Sequence, residues 1–297
     1  MHLTPVTSTW KETHLAPFDE LMLSWNGPRP SKGTYLFYVS LKTNGWSPWL
    51  LYASWGSEGQ SSFLSTTPLA PVRCYQDTVQ VLGGNKATGF QIKIVSEGGA
   101  AVDQLRELHV YCNGDRTQES TLSDSEPISI PVNGLSQMAI DHIRRKGFCS
   151  PTSTAAVVRY LLHTNAIDPI SFAEHCWDSG FDIFGNWVFS VAQAAVELGP
   201  EWSCWVERAR GFDSLYERLQ QGTPVVVSIQ GPLSGGAQPY QNGHLVVVRG
   251  FDPVQQKILC MDPAFLSDEE TLVSYDLADF LQAWNRRDRL AYVFIKK

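Results

Sequence analysis

The chain has 297 residues, which at roughly 100–200 residues per domain favours two domains over one large one. Apolar residues make up 43% and charged residues 18%, an ordinary globular composition that excludes general disorder. The net charge of −7 and the lack of any basic run longer than Arg144-Arg145-Lys146 argue against nucleic acid or an anionic membrane surface as a partner. Apolar runs stop at four or five residues, as in Leu245–Val248, far short of the ~18–20 that a membrane span needs.

Up to about residue 115 the pattern is all-β. Tyr35, Phe37, Val39 and Leu41 alternate with Leu36, Tyr38, Ser40 and Lys42, and similar runs appear at 49–55, 72–82, 90–95 and 105–112. Turn clusters such as Asn26-Gly27-Pro28, Asn44-Gly45 and Gly83-Gly84-Asn85 separate them. This predicts a β-sandwich or jelly roll over residues 1–120. Trp10, Trp25, Trp46, Trp49 and Trp55 fall here; exposed, they would offer a surface to carbohydrate or a protein partner, but core packing is the preferred reading. Residues 115–126 are polar and aperiodic, and read as a linker or a long loop.

The region 127–297 has a different pattern. A helix is expected from Ser150-Pro151, with Ala155, Val158 and Leu162 on its apolar face. Others are expected over 171–178, over Trp187–Leu198 with a stop at Gly199, from a cap at Asp213 to Gly222, and after Asp276. Strand signals lie at 224–230, 244–251, 257–262 and 289–295. Helices first and an antiparallel sheet later make this an α+β layout.

Six cysteines are present without a CxxC, HExxH or HxxxH pattern, and they read as mostly free thiols rather than metal ligands or a disulfide framework. No metal, nucleotide or haem cofactor is indicated. Cys149 stands at a helix start, where the macrodipole favours the thiolate and so suits a nucleophile. Cys176 and Cys204 have no such placement and read as core. His244 opens the apolar strand 244–251 and Asp262 ends the next one. Pairing centred on residue 253 would set the two opposite each other on one face, with Asp262 fixing the imidazole and its other nitrogen left for Cys149. Gln137, twelve residues before Cys149, could donate its amide to an oxyanion. His142 is a weaker candidate base, and Trp187 a candidate for lining the cleft.

The order Gln137…Cys149…His244…Asp262 resembles the papain-like cysteine peptidases, and more closely the group that includes the bacteriocin-processing, double-glycine leader peptidases. The stretches that carry the likeness are Leu135–Met138, Phe148–Ser153, Gly185–Trp187, Gly243–Phe251 and Met261–Ala264. Many relatives have Cys-Gly-Pro where this chain has Cys149-Ser150-Pro151. A bacterial subgroup is similar in its Cys-Ser-Pro-Thr-Ser form and in an N-terminal β-domain with the patterns found here as Ser24-Trp25-Asn26 and Trp46-Ser47-Pro48-Trp49. The resemblance implies a papain-like fold over 127–297 that hydrolyses peptide bonds, with Cys149 as nucleophile, His244 as base, Asp262 as its orienter and Gln137 as oxyanion donor. The double-glycine substrate does not carry over, because those leader peptidases are fused to membrane transporters and this chain has neither a span nor an ATP-binding loop. Two other readings stay open: an amidase or transpeptidase using the same site, and a non-catalytic binding protein acting through its β-domain. The absence of a signal-like N-terminus and the unpaired thiols favour a cytoplasmic location, although signal-independent export would leave no mark.

Overall fold

The computed structural model describes residues 6–67, 70–114 and 125–297. The first half contributes β1 (Val6–Phe18), β2 (Glu20–Asn26), β3 (Thr34–Leu41), β4 (Leu50–Gly56), β5 (Gln60–Thr66), β6 (Val72–Gln76), β7 (Thr78–Val81), β8 (Ala87–Glu97) and β9 (Glu107–Cys112). They pair in the order β1-β8-β3-β4-β5-β6-β7-β2-β9. The result is one continuous, nearly closed antiparallel sheet. Its two halves share β5, whose first residues pair with β4 and whose last residues pair with β6. The alternation in β3 has the expected physical meaning: Tyr35, Phe37, Val39 and Leu41 are buried while Leu36 and Tyr38 are half-exposed. Trp25 and Trp55 are core residues, Trp25 stacking on Phe37 at 4.2 Å between centroids, whereas Trp10 and Trp49 are exposed.

The run 72–82, expected as one strand, is a tight hairpin. Tyr75 pairs with Thr78 across a turn at Gln76-Asp77, and Gln76 adopts a positive φ of 52°. β2 is buried along nearly its whole length because it is covered on both faces. One face meets the interior of the curled sheet; the other meets the second half of the chain. The expected linker lies mostly outside the described residues.

The second half contributes β10 (Ile128–Ser129), α1 (Cys149–Leu161), α2 (Pro169–Glu174), α3 (Trp187–Leu198), β11 (Trp202–Arg208), α4 (Phe212–Gln220), β12 (Val225–Ile229), β13 (His244–Asp252), β14 (Lys257–Met261), β15 (Leu272–Asp276), α5 (Leu277–Asn285) and β16 (Leu290–Lys296). The sheet order is β11-β16-β12-β13-β14-β15, with β10 beside the far end of β13. α1 lies between this sheet and α3, and Ser150 through Val158 are all buried. Two expectations shift: α2 starts earlier, behind an Asp168 cap, and α4 is preceded by Gly211 rather than capped by Asp213; β11 and β15, not expected, come from stretches without clear alternation. α5 starts as expected, with the Asp276 carboxylate accepting from the amides of Ala278 and Asp279. No helix among the described residues is long and apolar enough to cross a membrane.

The halves are joined by polar contacts over a shared apolar core. Asn26 Nδ2 donates to the Cys204 carbonyl at 2.6 Å and its Oδ1 accepts from the Cys204 amide at 2.7 Å. Arg208 clasps Glu20 with two bonds of 2.5 and 2.7 Å, and Trp25 meets Phe189 edge-on at 6.0 Å.

Candidate active site

Cys149 is the first residue of α1. No side chain caps that terminus among the described residues. Ser153 Oγ donates to the Leu245 carbonyl at 2.9 Å and ties α1 to β13, which brings Cys149 to the start of that strand, where His244 sits. The His244 side chain and the backbone of Leu245 and Ser150 lie near enough to the Cys149 sulfur to act on its titration. Burial raises the thiol pKa, but the His244 bond and charge outweigh it, so the net displacement is below the ordinary thiol value. The other five cysteines go the opposite way, and burial pushes Cys74, Cys112 and Cys176 up to about 12. All six thiols are free.

His244 Nε2 lies 2.7 Å from Asp262 Oδ1, which leaves Nδ1 for Cys149. Burial lowers the imidazole pKa, but the Asp262 charge and hydrogen bond and the Cys149 contact more than reverse this, so His244 is held well above the ordinary histidine value. Asp262 is fully buried and fully satisfied. Oδ1 also accepts from the Ala264 amide at 3.0 Å, while Oδ2 accepts from the hydroxyls of Tyr240 and Tyr275, both at 2.6 Å. Burial raises this carboxyl's pKa, yet the His244 charge and these donors hold it below the usual range. The Tyr240 ring stacks on the imidazole at 4.3 Å, with the planes 4° apart.

The expected hairpin register needs correction. Asp252 pairs with Lys257 and Gly250 with Leu259; after an extra residue at Arg249, Val248 pairs with Cys260 and Val247 with Met261. A regular ladder from that turn would set residue 262 opposite 247, on the other face from His244. The bulge restores the parity, so His244 and Asp262 share a face, offset along the strands rather than directly opposite.

Gln137 is buried near the site but is otherwise engaged. Its Nε2 donates to the carbonyls of Arg145 and Lys146, both at 3.0 Å, while Oε1 has no partner among the described residues. His142 turns away: its Nδ1 accepts from the Arg144 amide at 3.0 Å and its ring lies against Phe148. The buried Ser150 hydroxyl is accommodated by hydrogen bonds of 2.8 Å with both Ser190 and Tyr292 hydroxyls.

Cys149 opens onto a cavity of about 600 Å³. Trp187 lines it, as do Phe184, Asn242 and Arg287 from the second half. The Gln76-Asp77 hairpin tip forms part of the wall, and Asp77 Oδ2 accepts from the Trp187 amide at 3.1 Å. Sequence reading passed over Asp77, Tyr240, Tyr275 and Arg287. Only Asp77 had a local signal, the polar pair Gln76-Asp77 interrupting an otherwise alternating run. The described residues hold no cluster of three or more His, Cys, Asp or Glu able to grip a metal ion.

Residues 129–292 match the Peptidase_C39 like family. The chain belongs to that family. It is therefore a hydrolase of the cysteine-peptidase type, with peptides as its substrate class. No curated protein matches the chain. A solved Bacillus anthracis protein described as a C39-like peptidase is similar at 19% identity and a TM-score of 0.44, covering 58% of this chain and 99% of its own.

Proposed function

We propose that this C39-like chain cleaves peptide bonds through Cys149, His244 and Asp262. The observation that carries the reading is an imidazole hydrogen-bonded to a buried, fully satisfied carboxylate and near enough to the Cys149 sulfur to lower its pKa. The opposed shifts, thiol down and imidazole up, are those of a thiolate–imidazolium pair. The thiolate attacks the scissile carbonyl, and His244 passes a proton to the leaving amine. Water, deprotonated by His244, then releases the acyl group. Asp262 keeps the imidazole in the tautomer and orientation that face the sulfur.

The Cys149 amide is the first oxyanion donor. Gln137 is the second, and takes that role by releasing one of its two carbonyl partners when substrate enters. We read residues 1–120 and 127–297 as two domains, the first a β-sandwich-like unit that supplies one wall of the cleft. Peptide hydrolysis by wild type and by Cys149→Ala, with mass spectrometry of the protein during turnover, tests the reading. An acyl-enzyme mass on Cys149 and complete loss of turnover in the variant are expected. Undiminished hydrolysis by Cys149→Ala would refute it.

A further inference from the structure

The cleft carries a charge pattern opposite to that of the molecule. The chain as a whole is at −7, yet three of the five charged side chains lining the cavity are cations: Arg144, Lys146 and Arg287, against Asp77 and Asp182. Both carboxylates are engaged. Asp182 Oδ1 takes Arg144 Nη1 at 2.7 Å. Asp77 accepts the Trp187 amide; burial raises its pKa to about 7 against the opposing effect of that amide and of the Arg287 charge, so near neutrality it is only partly charged and offsets Arg287 only in part. Lys146 and Arg287 have no carboxylate within ion-pair distance among the described residues.

Arg287 is also held in place. Its Nε donates to the buried Ser228 hydroxyl at 3.2 Å, and its guanidinium carbon lies 5.5 Å from the centre of the Trp187 ring. The same group packs on Gly243, where a Cβ would stand 3.5 Å from the guanidinium carbon. Gly243, at φ +89°, immediately precedes His244, so the guanidinium sits beside the reacting groups. Its two Nη groups have no hydrogen-bond partner among the described residues. A planar fork, fixed at Nε and free at both Nη atoms, matches the two oxygens of a carboxylate.

Resting on the peptidase reading, we propose that Arg287 is the specificity-determining residue of the cleft and binds a carboxylate of the substrate next to the bond that Cys149 attacks. The substrate is then an acidic peptide, drawn in by Lys146 as well. The carboxylate belongs either to an Asp or Glu side chain or to a free C-terminus.

Two alkylating agents test this on the full chain. Iodoacetate carries a carboxylate and iodoacetamide is its neutral counterpart. The ratio of their rates at Cys149 should fall roughly tenfold in Arg287→Gln, the scale of one charge-assisted hydrogen bond, and only partly in Arg287→Lys, which keeps the charge. An unchanged ratio in Arg287→Gln overturns the proposal. If iodoacetamide itself fails to modify Cys149, the peptidase reading fails, and the anion site is then measured alone by peptide binding to Cys149→Ala. Acetylated peptide amides with Glu or Gln, and the Gln peptide with a free C-terminus, form the set. Preference for one of the acid-bearing peptides, lost on adding Arg287→Gln, supports the site and identifies the source of its carboxylate. Equal binding of all three overturns it.

Discussion

Asp262 shows how much of the site depends on a single buried charge. Four donors converge on its two oxygens, and its carboxyl is held below the usual range. The sign of the linkage follows. A depressed carboxyl contributes stability that is present above the unfolded value of about 3.9 and lost as pH falls through the folded one. His244 is raised, so its contribution is full below about 6.5 and is lost as pH rises through the folded value. Because the two groups form one pair, the stabilisation is greatest between these limits. Asp262→Asn should lower the His244 pKa, raise that of Cys149, and cut kcat/KM by roughly 10²-fold or more, with the acid limb of the pH–rate profile moved to higher pH. Tyr275→Phe removes one donor to the carboxylate, and a loss of about 1.5–3 kcal/mol in denaturant unfolding is expected. Gln137→Ala should lower kcat by roughly 10²-fold if the amide reaches the oxyanion; a loss confined to unfolding stability would leave it only as the clamp of the Arg145-Lys146 turn. Cys149, His244 and Asp262 were legible in the sequence because each sits at the end of a recognisable element. Tyr240 and Arg287 were not, because one arrives from a loop and the other from the turn after α5, and only tertiary packing sets them beside His244.

At the scale of the elements, the β13–β14 hairpin decides which face His244 takes. The one-residue bulge at Arg249 was invisible to a reading that assumed regular pairing; the shared face of His244 and Asp262 survived, their directly opposite register did not. β10 closes over this irregularity: Ile128 and Ser129 pair with Phe251 and Gly250, and the Ile130 amide donates to the Arg249 carbonyl at 2.7 Å. A Cβ at Gly250 would lie 2.1 Å from the Ile128 carbonyl oxygen. Gly250→Ala should therefore push β10 off the sheet and destabilise the fold by about 1–3 kcal/mol, read as a lowered Tm. α3 was legible to the residue, since its apolar pattern runs from Trp187 to Leu198 and stops at Gly199. β1 and β11 were missed for the opposite reason. Lys11 and Glu12 in β1, and Ser203, Glu207 and Arg208 in β11, hide the alternation, because parts of these strands face solvent, Glu207 pairs with Arg218 of α4, and Ser203 and Arg208 make polar contacts with the other half.

The molecule as a whole is organised around β2, which serves two cores at once. Its inward face holds Trp25 against Phe37, and its other contacts fix β11 and α3. Through the same junction the Asp77 hairpin reaches the start of α3 and the cleft. Asn26→Ala would leave the buried amide and carbonyl of Cys204 without their Asn26 partners, at a cost of about 1–3 kcal/mol for each group left unsatisfied. Calorimetry of the wild type should give one cooperative transition, because no apolar gap separates the halves. The proposed function requires this scaffold to hold Cys149 as a thiolate against an imidazolium. The direct measure of that pair is the rate of iodoacetamide modification of each of the six cysteines across pH, resolved by mass spectrometry. Near pH 6 Cys149 should react far faster than the other five, and His244→Ala should return it to the profile of an ordinary thiol, whose pKa is about 8.5. A Cys149 rate that rises only near that ordinary value, and that is the same with and without His244, would contradict the thiolate–imidazolium pair.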